Sequence, residues 1–393
     1  MRVCMLAYTF YEGDNRVRRY GEALAKRGDA VDVIALKKPG ESDHEVLKGV
    51  NLYRIQKRVI NEKGKFSYLF KLVLFLMKSF AFVTQKHLMN RYDLIHIHSI
   101  PDFEVFAALV PKLTGAKIIL DIHDIVPELY ISKFKARENT LLFKMLTLIE
   151  RYSVAFSDHV IISNHIWKER LLSRCAKENK CSVFLNYPDT SIFHRRTRTR
   201  NDQKFIMIYP GTLNWHQGVD VSIKAFGKIQ KDVPNSEFHI YGRGPEKEFL
   251  MNLAVELDLK DRVLFKEPLP LERIADVMAD ADLGVVPKRN DRFGGEAFST
   301  KIFEFMALGV PVIASKTKID KYYFNDSTVK YFEADDENDL AQCMLLMFKN
   351  RELRENLVAN ASRFVEQFTW DKKKGDYISL VTSLTSGGNC NLR

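Results

Sequence analysis

The chain has 393 residues, 46% of them hydrophobic and 28% charged, with 60 Lys and Arg against 50 Asp and Glu. At about 150 residues per domain it has room for two to three domains, and this composition excludes a disordered or fibrous protein. The five cysteines, Cys4, Cys175, Cys181, Cys343 and Cys390, are scattered without paired spacing, which excludes a disulfide framework or a zinc ribbon and points to a reducing, cytoplasmic setting.

Residues 2–8 predict a strand, 9–14 a loop, 15–27 an amphipathic helix and 30–36 a second strand, the βαβ opening of a parallel doubly wound sheet. Glu12 and Asp14 arrive too early for a signal peptide. The stretch 66–85 is apolar and aromatic, but Lys71 and Lys78 disfavour a membrane span. A helix with Lys71, Lys78 and Lys86 on one side is expected there, either packed on its domain or lying on an anionic membrane surface. Strands follow at 94–98, 117–121 and 159–163, with helices at 103–113 and 141–156. A strand near Phe184 runs into a turn at Pro188.

A second α/β series begins with a strand at 205–209. It continues with a helix at 219–230, a strand at 237–241, a helix at 245–257, strands at 263–265 and 283–287, a helix at 299–308, a strand at 311–314 and helices at 337–348, 351–368 and 372–385. The expected organisation is a Rossmann-like domain over 1–190, a linker over 191–203, a second Rossmann-like domain over 204–370 and a closing helical segment over 371–393. Two doubly wound domains facing across a cleft would bind ligands at the carboxyl ends of their strands.

The positive charge is uneven. Residues 1–200 hold 34 Lys and Arg against 21 Asp and Glu, and residues 201–393 hold 26 against 29. The basic first half includes the run from His194 to Arg200, and such asymmetry predicts that one half meets an anionic surface. No recognition motif accompanies the charge, so a membrane or an anionic acceptor is expected in preference to nucleic acid.

The most informative stretch for chemistry is the Gly294-Gly295 loop leading into a helix that carries Ser299, Thr300, Lys301 and Glu304, with Glu296 just before it. A helix N-terminus offers free N–H groups and a favourable dipole to an anion such as a phosphate. Glu296 and Glu304 could simply serve the helix dipole and solvent. Glu304, however, is flanked by Phe303, Phe305 and Met306, where a carboxylate needs a partner.

Glu296-x7-Glu304 followed by Gly309-Val-Pro-Val-Ile resembles the signature of retaining glycosyltransferases of family 4, which have the GT-B fold. Tyr209-Pro-Gly211 to Gly218, Tyr241-Gly-Arg-Gly-Pro-Glu246, Asp282 to Pro287 and Phe368-Thr-Trp370 agree with it. The resemblance implies that Glu296 contacts the donor sugar and Glu304 the nucleotide ribose, with Gly211, Thr212, His216, Gly242, Ser299 and Thr300 also lining the donor site. It further implies retention of configuration, a last helix crossing back to the first domain, and work in bacterial-type surface polysaccharide or glycolipid synthesis. Many members carry an Arg and a Lys that neutralise the donor diphosphate at the positions of Thr212 and Gln217, and this chain has neither. A leaving diphosphate needs charge stabilisation, which is expected from Lys301, then from Arg243, Lys288 and Arg289.

In the first domain, His123 ends a strand, and His-Asp-x-x-Pro turns in relatives of this family place such a His by the donor phosphate or reacting sugar. The catalytic set is therefore His123, Glu296 and Lys301, with Asp124 orienting the His. The loop Gly13-Asp14-Asn15-Arg16 is expected at the acceptor. His96 and His98 lack an evident third ligand, Asp280-Ala-Asp282 reads as a turn and cap, and no metal or other cofactor is assigned. The opening loop lacks Gly-x-Gly-x-x-Gly, which disfavours a dinucleotide oxidoreductase. A nucleotide-sugar epimerase on the same fold and a non-catalytic sugar-binding relative remain alternatives. The partners expected are a nucleotide-sugar donor, a glycan or lipid-linked acceptor and, through 65–86, an anionic inner membrane face.

Overall fold

A computed structural model describes residues 1–58, 65–134 and 140–386, and the chain divides into two compact units, Met1–Asn186 with Lys374–Arg393, and Tyr187–Lys373. Cys390 and the end of the expected closing segment lie outside the described residues.

Unit 1 contains β1 (Arg2–Ala7), α1 (Asn15–Arg27), β2 (Ala30–Lys37), β3 (His44–Leu47), β4 (Val50–Lys57), α2 (Lys65–Met89), β5 (Leu94–Ser99), α3 (Leu109–Leu113), β6 (Lys117–Ile122), α4 (Val126–Phe134), α5 (Leu141–Phe156), β7 (His159–Ile162), α6 (His165–Arg174) and β8 (Cys181–Val183). The strands form one sheet in the order β3-β4-β2-β1-β5-β6-β7-β8. Its β3–β4 pair is an antiparallel hairpin turned by Lys48 and Gly49, both at positive φ, the geometry that suits a two-residue turn. Strand β1 is buried from Val3 to Ala7, as a parallel strand covered on both faces requires. Helix α1 shows how sequence sets an element. Asp14 caps its start by accepting from Val17 N, Gly28 ends it in the left-handed conformation, and Val17, Tyr20 and Leu24 form the buried stripe.

The helix expected over 103–113 is instead a 3-10 run, Asp102–Ala108, followed by the short α3. Pro111 accounts for the change, because its ring would clash with the carbonyl four residues earlier in a continuous α-helix. Helix α2 is long and apolar enough over Ser67–Met89 to cross a membrane by length and composition alone, with a mean hydropathy of 1.5. One stripe of it, Leu72, Phe75, Ser79, Val83 and His87, is nonetheless buried. The lysines do not form the expected outward row. Lys78 Nζ bonds Ile55 O, and Lys86 Nζ bonds the Tyr53 hydroxyl and lies over its ring, so both reach back onto β4.

Unit 2 contains β9 (Phe205–Pro210), α7 (Val219–Ile229), β10 (Ser236–Tyr241), α8 (Lys247–Glu256), β11 (Val263–Lys266), α9 (Leu271–Ala279), β12 (Leu283–Val286), α10 (Thr300–Leu308), β13 (Val312–Ser315), α11 (Lys318–Tyr323), β14 (Lys330–Phe332), α12 (Glu337–Lys349), α13 (Arg351–Val365) and the start of α14 (Trp370–Thr385). The sheet order is β11-β10-β9-β12-β13-β14, parallel throughout. From Lys374 onward α14 belongs to unit 1, where Tyr377 is fully buried against Tyr20 and His96.

The stretch expected as a linker over 191–203 is fastened onto unit 2. Arg196 pairs with Asp276, Arg198 and Arg200 with Asp282, and Thr199 with Asp280. Three of the four arginines in the basic run are thereby paired, and Asp280 and Asp282 are used as structural acceptors. Counted by unit, unit 1 holds 32 Lys and Arg against 21 Asp and Glu, and unit 2 holds 28 against 29.

Candidate active site

In an open parallel sheet, ligands bind beyond the carboxyl ends of the strands where the strand order reverses. That point lies between β9 and β12 in unit 2 and between β1 and β5 in unit 1. The loops there carry most of the residues singled out by the sequence.

In unit 2 the loops after β9 and β10 approach backbone to backbone. A Cβ on Gly242 would lie 1.9 Å from Gly211 O, and one on Gly211 would lie 2.4 Å from Lys301 Cε. Gly242 therefore excludes a side chain, and Gly211 leaves the space that Lys301 crosses. Lys301 Nζ stops 3.3 Å from Gln217 Oε1, above the Tyr209 ring. Gln217 is fixed in turn by Tyr209, whose hydroxyl is 3.0 Å from the same amide oxygen and donates to Thr212 O. Burial pushes the Lys301 ammonium down to about 8, with Glu304 opposing the shift and Lys288 adding to it.

Ser299 occupies the N-cap of α10. It is buried, and its hydroxyl has no hydrogen-bond partner among the described residues. Thr300 is half-buried in the first turn, and Glu304 lies one turn further on. Glu296 is nearly buried and is held by Lys318 at 3.0 Å. Thr212 is exposed, while His216 is half-buried with its ring edge-on to Phe293, and burial lowers its pKa.

Two of the expected diphosphate cations are committed elsewhere. Lys288 is buried, with Nζ 2.7 Å from Ala297 O and 3.0 Å from Asp320, an ion pair that fixes the loop before α10. Arg289 Nη2 meets both oxygens of Asp220 at 2.8 Å, while Nη1 pairs with Asp335 and the guanidinium covers the Trp215 ring. With carboxylates on both guanidinium edges it is not a free cation. Arg243 forms a surface pair with Glu267 at 2.6 Å.

In unit 1 a cavity of about 220 Å³ opens at the reversal point, between Tyr8, Thr9 and Asp14 after β1, Arg58 after β4, Ser99 and Ile100 at the end of β5, and His123 and Asp124 after β6. His123 Nε2 lies 3.2 Å from Asp121 Oδ2 and 3.3 Å from His98 Nδ1. It is thus Asp121, rather than the expected Asp124, that orients the ring. Asp121 is fully buried and receives a fork from Arg16 at 2.7 and 2.8 Å. Burial alone would raise its pKa, but Arg16 and His123 hold it well below the usual carboxylate range. An ionised carboxylate only accepts, so Nε2 of His123 is the donor and Nδ1 is its remaining polar atom.

Arg16, expected at the acceptor, is part of this buried network and also donates to Phe184 O. Asp14 reaches the cavity while capping α1, Asn15 is half-buried, and Gly13 is exposed. His96 and His98 do acquire a third potential metal ligand, Asp121, with the ligand atoms within 4.8 Å of one another. Its oxygens, however, already serve the Arg16 guanidinium, whose charge opposes a cation there. The missed residue was Asp121, a lone carboxylate closing the apolar strand β6.

Two doubly wound units with their ligand edges equipped in this way define a GT-B glycosyltransferase. Residues 191–364 match the model for glycosyl transferases group 1, and residues 14–191 that for glycosyltransferase family 4. The chain is 23% identical to N-acetyl-alpha-D-glucosaminyl L-malate synthase of Bacillus anthracis, covering 91% of this chain and 90% of that protein. Sucrose-phosphate synthase from Thermosynechococcus elongatus superposes with a TM-score of 0.83 at 20% identity, over 99% of this chain and 100% of that one. Anabaena Alr3699/HepE, solved in complex with UDP and glucose, superposes at 0.74 with 14% identity, over 98% and 100%. The chain belongs to glycosyltransferase family 4, among the group 1 glycosyltransferases.

Proposed function

We propose that the N-terminus of α10 and its loops hold the nucleotide-sugar donor, and that the unit 1 cavity holds the acceptor hydroxyl. The observation that carries the donor half is Lys301. Its ammonium rests on neutral Gln217, at the position where many relatives carry a Lys, so the helix supplies the cation that the loop lacks. The free N–H groups of α10, the unpartnered Ser299 hydroxyl and exposed Arg243 complete a site for a diphosphate. Glu304 accepts from the ribose hydroxyls and Glu296 from the sugar. His123, with Nε2 spent on Asp121, turns Nδ1 to the sugar or acceptor hydroxyl.

With the diphosphate met by protein groups, the reaction runs without a metal, and transfer retains configuration as in the rest of the family. A UDP-sugar is the first donor to try, because UDP and glucose occupy the Anabaena relative. The acceptor belongs to surface polysaccharide or glycolipid synthesis, at the inner membrane face. The exposed face of α2, with Leu69, Phe70, Val73 and Met77, supports that reading, as does the net positive charge of unit 1.

A panel of nucleotide sugars tests the reading. Release of nucleoside diphosphate that depends on an added acceptor, and is unchanged by chelators, supports it. Isomerised donor without release, or binding without turnover, overturns it.

A further inference from the structure

We infer that the unit 1 cavity selects an acceptor that carries an acidic group, a carboxylate or a phosphate, and that Arg58 is the residue that binds it. This rests on the acceptor reading above and specifies its chemical class.

Arginines in unit 1 are mostly spent on carboxylates. Arg16 forks onto Asp121, Arg54 pairs with Glu12, Glu41 and Glu45, and Arg174 pairs with Glu128 and Glu150. Arg58 differs. Among the described residues no carboxylate lies within ion-pair distance of it, although it lines the cavity. Its guanidinium is positioned instead by two rings, 5.0 Å over Tyr8 and 5.6 Å over Tyr68. Stacking of this kind orients the planar group while leaving its N–H edge free, and a free guanidinium edge matches a carboxylate or phosphate in two-pronged fashion.

Another part of the wall bears the opposite character. His123, Asp124 and Asp14 line it, and a carboxylate there accepts from a hydroxyl. The polarity fits an alcohol with one acidic group, its hydroxyl by His123 and its anion on Arg58. The volume, about 220 Å³, suits a small head group.

The test uses the full chain, with malate and glycerol 3-phosphate as anionic probes and glycerol as the neutral counterpart, by calorimetry or ligand-observed NMR. At least one anion should bind about tenfold more tightly than glycerol, Arg58→Gln should remove that margin, and Arg58→Lys should restore part of it. Competition of the bound probe by phosphatidylglycerol vesicles but not phosphatidylcholine vesicles would identify a lipid head group as the source, and its absence a soluble acid. Equal binding of anions and glycerol, no binding of either anion, or full anion affinity in Arg58→Gln would each overturn the inference. Binding of UDP-glucose is followed in the same samples. Its loss in the wild type would sink the donor reading and leave the anion result standing, whereas its retention in Arg58→Gln shows that the variant is folded.

Discussion

The two units place functional groups at the same topological position but handle charge in opposite ways. In unit 1 the strand ends bury a network closed in charge, in which the Asp121 carboxylate meets Arg16, His98 and His123. In unit 2 the corresponding edge leaves an ammonium, Lys301, against a neutral amide, with a helix N-terminus beside it. A closed network holds geometry, while an under-compensated cation waits for an anion. The difference fits the division of labour proposed above, one unit orienting a hydroxyl and the other stabilising a departing diphosphate.

Removing the open cation should produce the largest effect. Lys301→Ala is expected to lower the transfer rate by about 10²–10³, the cost typical of losing one group that stabilises developing charge. Glu296→Ala should fall in the same range. Both variants should melt close to wild type, since neither removes a partner from a closed network. Near-normal rates in both would refute the unit 2 site. The closed network should respond in the other way. Asp121→Asn leaves Arg16 buried without its counter-ion, and breaking such a pair costs about 3–5 kcal/mol, visible as a lower midpoint in denaturant. His123→Ala should lose activity with a much smaller change in that midpoint. If Asp121→Asn proves as stable as wild type, the network is not closed as described. The sign with pH follows from the depressed Asp121 pKa. Its contribution is present above the unfolded value of 3.8 and is lost as pH falls through the lower folded value.

The same contrast explains what could be read in advance. Helices α1 and α5 match their predicted limits, because a capping residue and an apolar stripe are local signals. Glu296, Lys301 and Glu304 could be singled out together because they lie close in sequence about one helix start. The Asp121 network was not, since Arg16 and Phe184 lie 105 and 168 residues from their partners in the chain. What the sequence did offer was a carboxylate in the apolar strand β6, which demands a cation. The β3–β4 hairpin was missed because Lys48-Gly49 is a weaker turn signal than Asn-Gly and His44-Glu45-Val46-Leu47 does not alternate in polarity. The fastening of 191–203 onto unit 2 was not legible because three arginines look solvated until Asp276 and Asp282 are brought beside them.

A middle-sized effect separates the units by pH. Lys301 loses its proton near pH 8, so the Michaelis constant for donor should rise as pH climbs through that value. Lys301→Arg, which stays charged, should abolish that rise, and steady-state kinetics from pH 6.5 to 9 reads it directly. Stability moves the other way. The folded state disfavours the charged lysine, so that cost is in force below pH 8 and is relieved between 8 and the unfolded value of 10.5. A donor constant that is flat across pH 8 would remove Lys301 from the diphosphate site even if its alanine variant were slow.

The smallest effect is expected at Arg243. Its pair with Glu267 is exposed on both sides, and such pairs contribute about 0–1 kcal/mol. Arg243→Ala should therefore leave the melting point within about a degree of wild type. Its effect on donor binding should also be modest, about two- to tenfold, because solvent screens an exposed cation more than one lodged beside Tyr209. The informative measurement is the double variant with Lys301→Ala. If the two cations meet the same diphosphate, the combined loss departs from the sum of the single losses. Strict additivity would mean that Arg243 serves only the β10 loop, and the charge that answers the leaving group would then rest on Lys301 and the start of α10 alone.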